Sequence, residues 1–149
     1  MVWDEETENW VSSSSANIGD IVDFKVEFDA TNSPDLFPAL VALAAAAEGE
    51  SRIIGTSRLR HKESDRAETL CQEYEKLGIE IDISEDNVMK IRGGEICPSE
   101  VFSHNDHRIA MSLAASALRC KGDVIITAAE CVEKSYPDFF EDLESITIR

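Results

Sequence analysis

Basic residues are scarce in this chain: of 149 residues only 14 are lysine or arginine, against 30 aspartates and glutamates, for a formal charge of -16 at pH 7. Affinity for polyphosphate comes largely from Lys and Arg displacing counterions, so nucleic acid and anionic lipid are excluded as partners. No apolar run approaches the roughly 20 residues that span a bilayer, and residues 1–6 are acidic where a signal peptide is basic. No membrane is expected, and the reading places the chain in the cytoplasm. The four cysteines, Cys71, Cys97, Cys120 and Cys131, form no CxxC pair, which argues for reduced thiols and against a disulfide framework or a metal cluster. Aromatic residues reach only 7% while alanine abounds, a composition of close-packed helices on a sheet rather than of an aromatic-rich binding module. With 43% hydrophobic residues, one self-supporting core is expected.

Ser33-Pro34-Asp35 precedes an apolar stretch at 36–47 and Gly49 follows it, which predicts a helix that is apolar on nearly every side and therefore buried. Next come a short strand at 51–54, a basic segment at 58–62 and a helix over about 63–77 that stops at Gly78. Ile79, Ile81 and Ile83 alternate with polar residues, as do Val88 to Arg92, with Glu85-Asp86-Asn87 as the hairpin turn between two strands.

The pattern then begins again. Asn105-Asp106 caps a small-residue helix over 109–118, Gly122 ends it, and Val124-Ile125-Ile126 is a strand. Asp35 and Asp106 are 71 positions apart, Gly49 and Gly122 are 73 apart, and Lys62 and Lys134 are 72 apart. Such an internal period predicts an α/β (α+β) chain of stacked βαβαββ units with mixed sheets. Residues 1–13, with Val2-Trp3 and Trp10-Val11 around an acidic turn, read as the closing hairpin of a preceding unit. The expected division is therefore 1–20 for that hairpin and a linker, and 21–149 for the repeat, with the chain entering the repeat part-way or else forming a complete small domain.

Against the acidic background Arg58, Arg60, Lys62 and Arg66 crowd together. Lys62 and Arg66, four apart, would share a helix face and repel each other, and cations at a helix start oppose the macrodipole. His107 and Arg108, directly after the Asp106 cap, repeat that placement. Either neighbouring carboxylates such as Glu63 and Asp65 neutralise the run, or phosphate and carboxylate ligands sit at these helix starts. Asp35 is open to two roles, a helix cap or a carboxylate directed at a substrate hydroxyl as base. Glu63 is either a salt-bridge partner or a proton donor tuned by adjacent cations. His104 and His107, three apart, could share a metal, but no third ligand is near and capping or anion contact is the preferred reading.

Leu59-Arg60-His61-Lys62-Glu63-Ser64-Asp65-Arg66, Asn105-Asp106-His107-Arg108-Ile109-Ala110-Met111 and Lys134-Ser135-Tyr136-Pro137-Asp138-Phe139-Phe140 together resemble the motifs of the 5-enolpyruvylshikimate-3-phosphate (EPSP) synthase family, in that family's order. The similarity runs from about residue 20 to 146. It implies an enolpyruvyl transferase fold whose two domains, each of three βαβαββ units, close on shikimate 3-phosphate and phosphoenolpyruvate, with this chain as the C-terminal part of the second domain. The resemblance further implies Asp35 as general base for the shikimate 5-hydroxyl, Glu63 as the acid that helps protonate phosphoenolpyruvate, and Lys62 on shikimate 3-phosphate. Arg66, Arg108 and Lys134 would hold phosphoenolpyruvate with His107 adjacent, and no metal or organic cofactor is required. Arg58 stands where some members carry an asparagine, and no segment matches the family's N-terminal domain, so weak binding and negligible turnover are expected of this chain alone. Two other readings compete: a fragment of the sister transferase acting on UDP-N-acetylglucosamine, and a noncatalytic anion-binding or assembly module that keeps the fold.

Overall fold

Small and apolar residues drive helix α1 (Phe37–Ala46) into the interior: Phe37, Pro38, Val41, Ala42, Ala44 and Ala45 are buried and only the Leu43 side stays open. The chain is seen here in a computed structural model that describes residues 27–60 and 62–147 in full and residues 2–4 and 9–11 by their backbone. Strand β1 (Val2–Asp4) pairs antiparallel with β2 (Asn9–Val11), Trp3 opposite Trp10, as the hairpin reading expects, while its turn and the linker at 12–20 lie outside the described residues.

Strand β3 (Glu27–Asp29) runs parallel to β4 (Gly49–Ile54), and α1 is the crossover that a parallel pair requires. Helix α2 (Arg66–Lys76) follows, then β5 (Glu80–Asp82) and β6 (Val88–Gly93), an antiparallel pair. β6 also pairs antiparallel with β4, so the sheet order is β3-β4-β6-β5 and residues 27–93 complete one βαβαββ unit. The turn into β6 passes through Asn87 in the left-handed region (φ 59°), and its carbonyl accepts the Gly55 N–H at 2.8 Å.

The second unit starts the same way. Strand β7 (Ser99–Phe102) lies parallel to β8 (Val124–Thr127) with helix α3 (His107–Ala117) between them, and helix α4 (Phe139–Ile146) comes after. The period of about 72 residues is thus structural: α1 and α3 are equivalent crossovers. Three elements are additions to the sequence reading, β3, β7 and α4. Two boundaries also differ, because α1 is preceded by a separate 3-10 turn (Pro34–Leu36) and α2 begins only at Arg66, where Asp65 caps by accepting the Glu68 N–H.

Both units share one core. Phe37 and Val41 of α1, Leu70 and Tyr74 of α2, and Ile109 and Leu113 of α3 close on Ile53, Met89 and Ile91 of the sheet. Inside it the Tyr74 hydroxyl meets Ser112 Oγ at 2.6 Å and Ser116 Oγ at 2.8 Å, while Ser112 Oγ donates to the Pro38 carbonyl at 2.6 Å. Because Ser112 spends its proton on Pro38, Tyr74 donates to Ser112 and Ser116 donates to Tyr74, which ties three helices through one satisfied chain. Burial pushes the Tyr74 phenol up to about 12, so it stays a donor at any ordinary pH.

The tightest packing lies at Gly93, where β6 ends under α1. A Cβ built there would overlap the carbonyl oxygens of Ala47 and Ala44, both backbone atoms that a side-chain rotation cannot clear. Gly93→Ala is expected to destabilise by about 3 kcal/mol, the upper part of the ordinary overpacking range, read as a lower urea midpoint. An unchanged midpoint would mean that α1 can lift from the sheet at little cost.

Candidate functional site

Three chain segments deliver charge to one place. They are the 3-10 turn before α1, which carries Asp35, the loop and first residue of α2, which carry Lys62, Glu63 and Arg66, and the start of α3, which carries Asp106, His107 and Arg108. Arg66 is at the centre, 1% exposed, and each guanidinium nitrogen faces a carboxylate. Nε meets Asp106 Oδ2 at 2.8 Å, Nη1 meets Asp35 Oδ1 at 2.7 Å, and Nη2 meets Glu63 Oε2 at 2.8 Å and Asp106 Oδ1 at 3.2 Å. Lys62 Nζ lies 3.2 Å from the same Asp35 Oδ1, and Arg108 Nη2 lies 3.8 Å from Asp35 Oδ2.

This geometry settles several of the alternatives. Asp35 is not a cap: α1 has no side-chain cap, and the Asp35 carboxylate is turned onto three cations. Lys62 and Arg66 do not share a helix face, since α2 begins at Arg66; their repulsion is relieved by Asp35 between them. Asp106 caps α3 by accepting the Arg108 N–H at 3.0 Å, and it also binds Arg66 and takes the Ser64 hydroxyl at 3.0 Å. Helix-dipole reasoning therefore leads to residues that the fold brings together, while the anions beside them are the protein's own carboxylates. Arg58 and Arg60 are exposed, and Arg60 lines a separate cavity of about 710 Å³ with Asp65, Glu68 and Glu85, away from the Asp35 cluster; His61 lies outside the described residues.

The cluster is graded from dry to wet. Asp106 is fully buried, whereas the Asp35 and Glu63 side chains are 48% and 44% exposed and face outward with Lys62 and Arg108. Burial would raise the Asp106 pKa, but the hydrogen bonds and charge of Arg66 outweigh it and hold the carboxyl below its ordinary range. Asp35 balances likewise: burial pushes up, and the bonds from Arg66 and Lys62 with the Arg108 charge bring it down. Asp35 is therefore an ionised acceptor at neutral pH with an open side, which is the state a base needs.

Lys134 is attached through the chain rather than through Asp35. Its Nζ donates to the Asn105 carbonyl at 2.8 Å, one residue before Asp106. The His107 ring is buried, and its Nδ1 has no hydrogen-bond partner among the described residues. His104 does not share a site with it: its Nε2 lies 2.7 Å from Glu73 Oε1, and its ring packs on Phe102. Among the described residues no group of three His, Cys, Asp or Glu is arranged for a metal ion. Asp106, beyond its capping role, and Ser64 are the members of this network that sequence reasoning misses, because their partners are some 40 residues away and no local period marks them.

With that geometry established, likeness to known proteins gives the cluster a context. The EPSP synthase (3-phosphoshikimate 1-carboxyvinyltransferase) family matches residues 4–143. A 3-phosphoshikimate 1-carboxyvinyltransferase of Clostridium perfringens is 48% identical over 118 residues, covering 79% of this chain and 28% of the relative. The solved EPSP synthase of Acinetobacter baumannii superposes with a TM-score of 0.67 at 38% identity, over 73% of this chain and 26% of that one. The enolpyruvyl transferase NikO of Streptomyces tendae follows at a TM-score of 0.61 and 25% identity. The chain thus spans just over a quarter of the length of the curated relatives it matches.

Proposed function

This chain belongs to the EPSP synthase family, and from that premise we propose that it supplies one side of an active site that transfers the enolpyruvyl group of phosphoenolpyruvate to the 5-hydroxyl of shikimate 3-phosphate, releasing phosphate. The observation that carries the reading is Asp35, an outward-facing carboxylate within 3.8 Å of Lys62, Arg66 and Arg108. A carboxylate held ionised among cations can take the hydroxyl proton while those cations bind the anionic substrates.

Glu63, at the rim and paired with Arg66, is in this reading the acid that helps protonate the phosphoenolpyruvate methylene. Lys62 and Arg108, the half-open cations beside Asp35, suit the phosphate of shikimate 3-phosphate and the carboxylate or phosphate of phosphoenolpyruvate respectively. Arg66 and Lys134 complete the phosphoenolpyruvate clamp, with His107 alongside. Since Arg66 is already surrounded by carboxylates, it would reach a ligand only by exchanging Asp35 or Glu63 for it, as Asp106 keeps its hold on the buried side. In this reading residues 21–149 are the C-terminal part of the second domain, and residues 1–20 are the closing hairpin and linker of the unit before. The chain would work in the cytoplasm on small anions, with no membrane or nucleic acid involved; no described helix is long and apolar enough to cross a bilayer.

Anion clamps from one side give weak positioning, so activity is expected to need the remainder of the enzyme. The test is a chimera in which this chain replaces the matched segment of the Clostridium perfringens relative. Phosphate release is expected only with shikimate 3-phosphate and phosphoenolpyruvate together, and the chain alone should give none. A folded chimera that is inactive, or one that turns over UDP-N-acetylglucosamine instead, would overturn the assignment.

A further inference from the structure

Outside the Arg66 cluster, the charged side chain most deeply buried among the described residues is Glu73 on α2, 2% exposed. Its carboxylate gathers three donors. Lys76 Nζ reaches Oε2 at 2.7 Å from the same helix, whereas the other two come from a stretch about 30 residues later: the Phe102 N–H on Oε2 at 2.8 Å, and His104 Nε2 on Oε1 at 2.7 Å. Burial alone would raise its pKa, but these bonds outweigh it, so Glu73 is an ionised acceptor and His104 Nε2 carries the proton between them.

What Glu73 holds is unusual. Phe102 ends β7, and residues 103–106 lead into α3 through two successive non-glycine residues in the left-handed region, His104 at φ 52° and Asn105 at φ 58°. Such a backbone persists only where its surroundings over-determine it. Ser103 Oγ ties this loop to the Ala128 carbonyl at 2.9 Å and accepts the Asn105 N–H at 3.0 Å, Lys134 holds the Asn105 carbonyl, and Arg66 holds Asp106. Glu73 is a second anchor on the α2 side, at the start of the loop where Arg66 holds its end. Every residue of the charge cluster that α3 contributes, together with the Lys134 contact, hangs from this loop.

We propose that Glu73 is a positioning residue for the anion site: through Phe102 and His104 it fixes the left-handed loop that presents Asp106 and Arg108 and receives Lys134 on its Asn105 carbonyl. The assignment rests on the reading of the Asp35 cluster as a ligand site only for its binding consequence; the loop anchoring is separately observable. The experiment uses the full chain, with nitrogen-15 resonances of Asn105, Asp106, Arg108 and the Arg66 Nε–H followed in Glu73→Gln and in Lys76→Met, a control that removes the donor not belonging to the loop. Phosphoenolpyruvate is the probe. Glu73→Gln is expected to shift those resonances and to raise the phosphoenolpyruvate Kd about tenfold, the size expected for loss of a supporting contact behind a site, with Lys76→Met leaving both near wild type at a similar melting temperature.

Unmoved resonances in Glu73→Gln would overturn the proposal, and so would equal shifts in Lys76→Met, which would mean general destabilisation. Should Glu73→Gln fail to fold, His104→Ala removes one arm from a partly exposed position and carries the same expectation. Loop shifts in the chain, together with a chimera carrying it that does not bind phosphoenolpyruvate, would uphold the anchoring and count against the proposed function instead.

Discussion

Asp106→Ala is expected to cost about 3–5 kcal/mol of folding stability, seen as a large fall in the urea midpoint, because it strands a buried guanidinium. Arg66 is 1% exposed and Asp106 fully buried, so neither charge can fall back on water. Asp35 and Glu63 stay within reach of Arg66, but both sit at the open rim where solvent screens them, and neither can reach Nε. The helix cap on the Arg108 N–H disappears with the same carboxylate, which adds about 1 kcal/mol by itself. Asp106→Asn keeps the cap acceptor and the volume but not the charge, and should fall between. The pH dependence has a definite sign. A carboxyl depressed below its ordinary value of 3.8 contributes stability that is present above that value and lost as pH falls through its lower folded pKa. Wild-type acid unfolding should therefore steepen below about pH 4, and Asp106→Ala should lose part of that limb, the part left belonging to the other depressed carboxylates, Asp35 and Glu73 among them. A penalty under about 1 kcal/mol would show that the rim carboxylates alone can neutralise Arg66.

How far the sequence reveals this centre depends on the range of the signal. Caps, terminating glycines and the 71 to 73-residue spacing are local or periodic, and they locate α1, β4, the β5–β6 hairpin, α3 and β8. β3 and β7 escape because each is only three or four residues long and carries polar side chains; they become strands by lying parallel to a neighbour some 25 residues later, which nothing in their own composition announces. α4 is a different case: Phe139, Phe140, Leu143 and Ile146 give it an amphipathic pattern, which the sequence reading leaves inside the motif at 134–140 rather than reading as a helix. The unfavourable placement of cations at helix starts was the informative anomaly, since it pointed to anions, and the fold answers it with Asp35 and Asp106. Which of 30 acidic residues lies inside is a tertiary fact. Glu73, in a stretch with Glu75 and Lys76, reads as helix surface until β7 crosses the end of α2 and covers it.

The second large effect separates chemistry from binding at one atom group. In the chimera, Asp35→Asn should lower kcat by about 10²–10⁴, the usual contribution of a positioned general base, because an amide oxygen cannot accept the hydroxyl proton. Its effect on folding should be small, for the side chain is 48% exposed and Arg66 keeps both bonds to Asp106. The decisive feature is the direction of substrate affinity. Asp35 now offsets charge on Lys62, Arg66 and Arg108; without it Lys62 and Arg108 lose their carboxylate while Arg66 keeps Glu63 and Asp106, and phosphoenolpyruvate should bind as well as before or better. A variant that binds the anion at undiminished strength yet turns it over hundreds of times more slowly assigns the proton transfer to Asp35. If affinity falls in step with turnover, Asp35 serves instead to hold the cations in place, and the base must be sought elsewhere in the cleft.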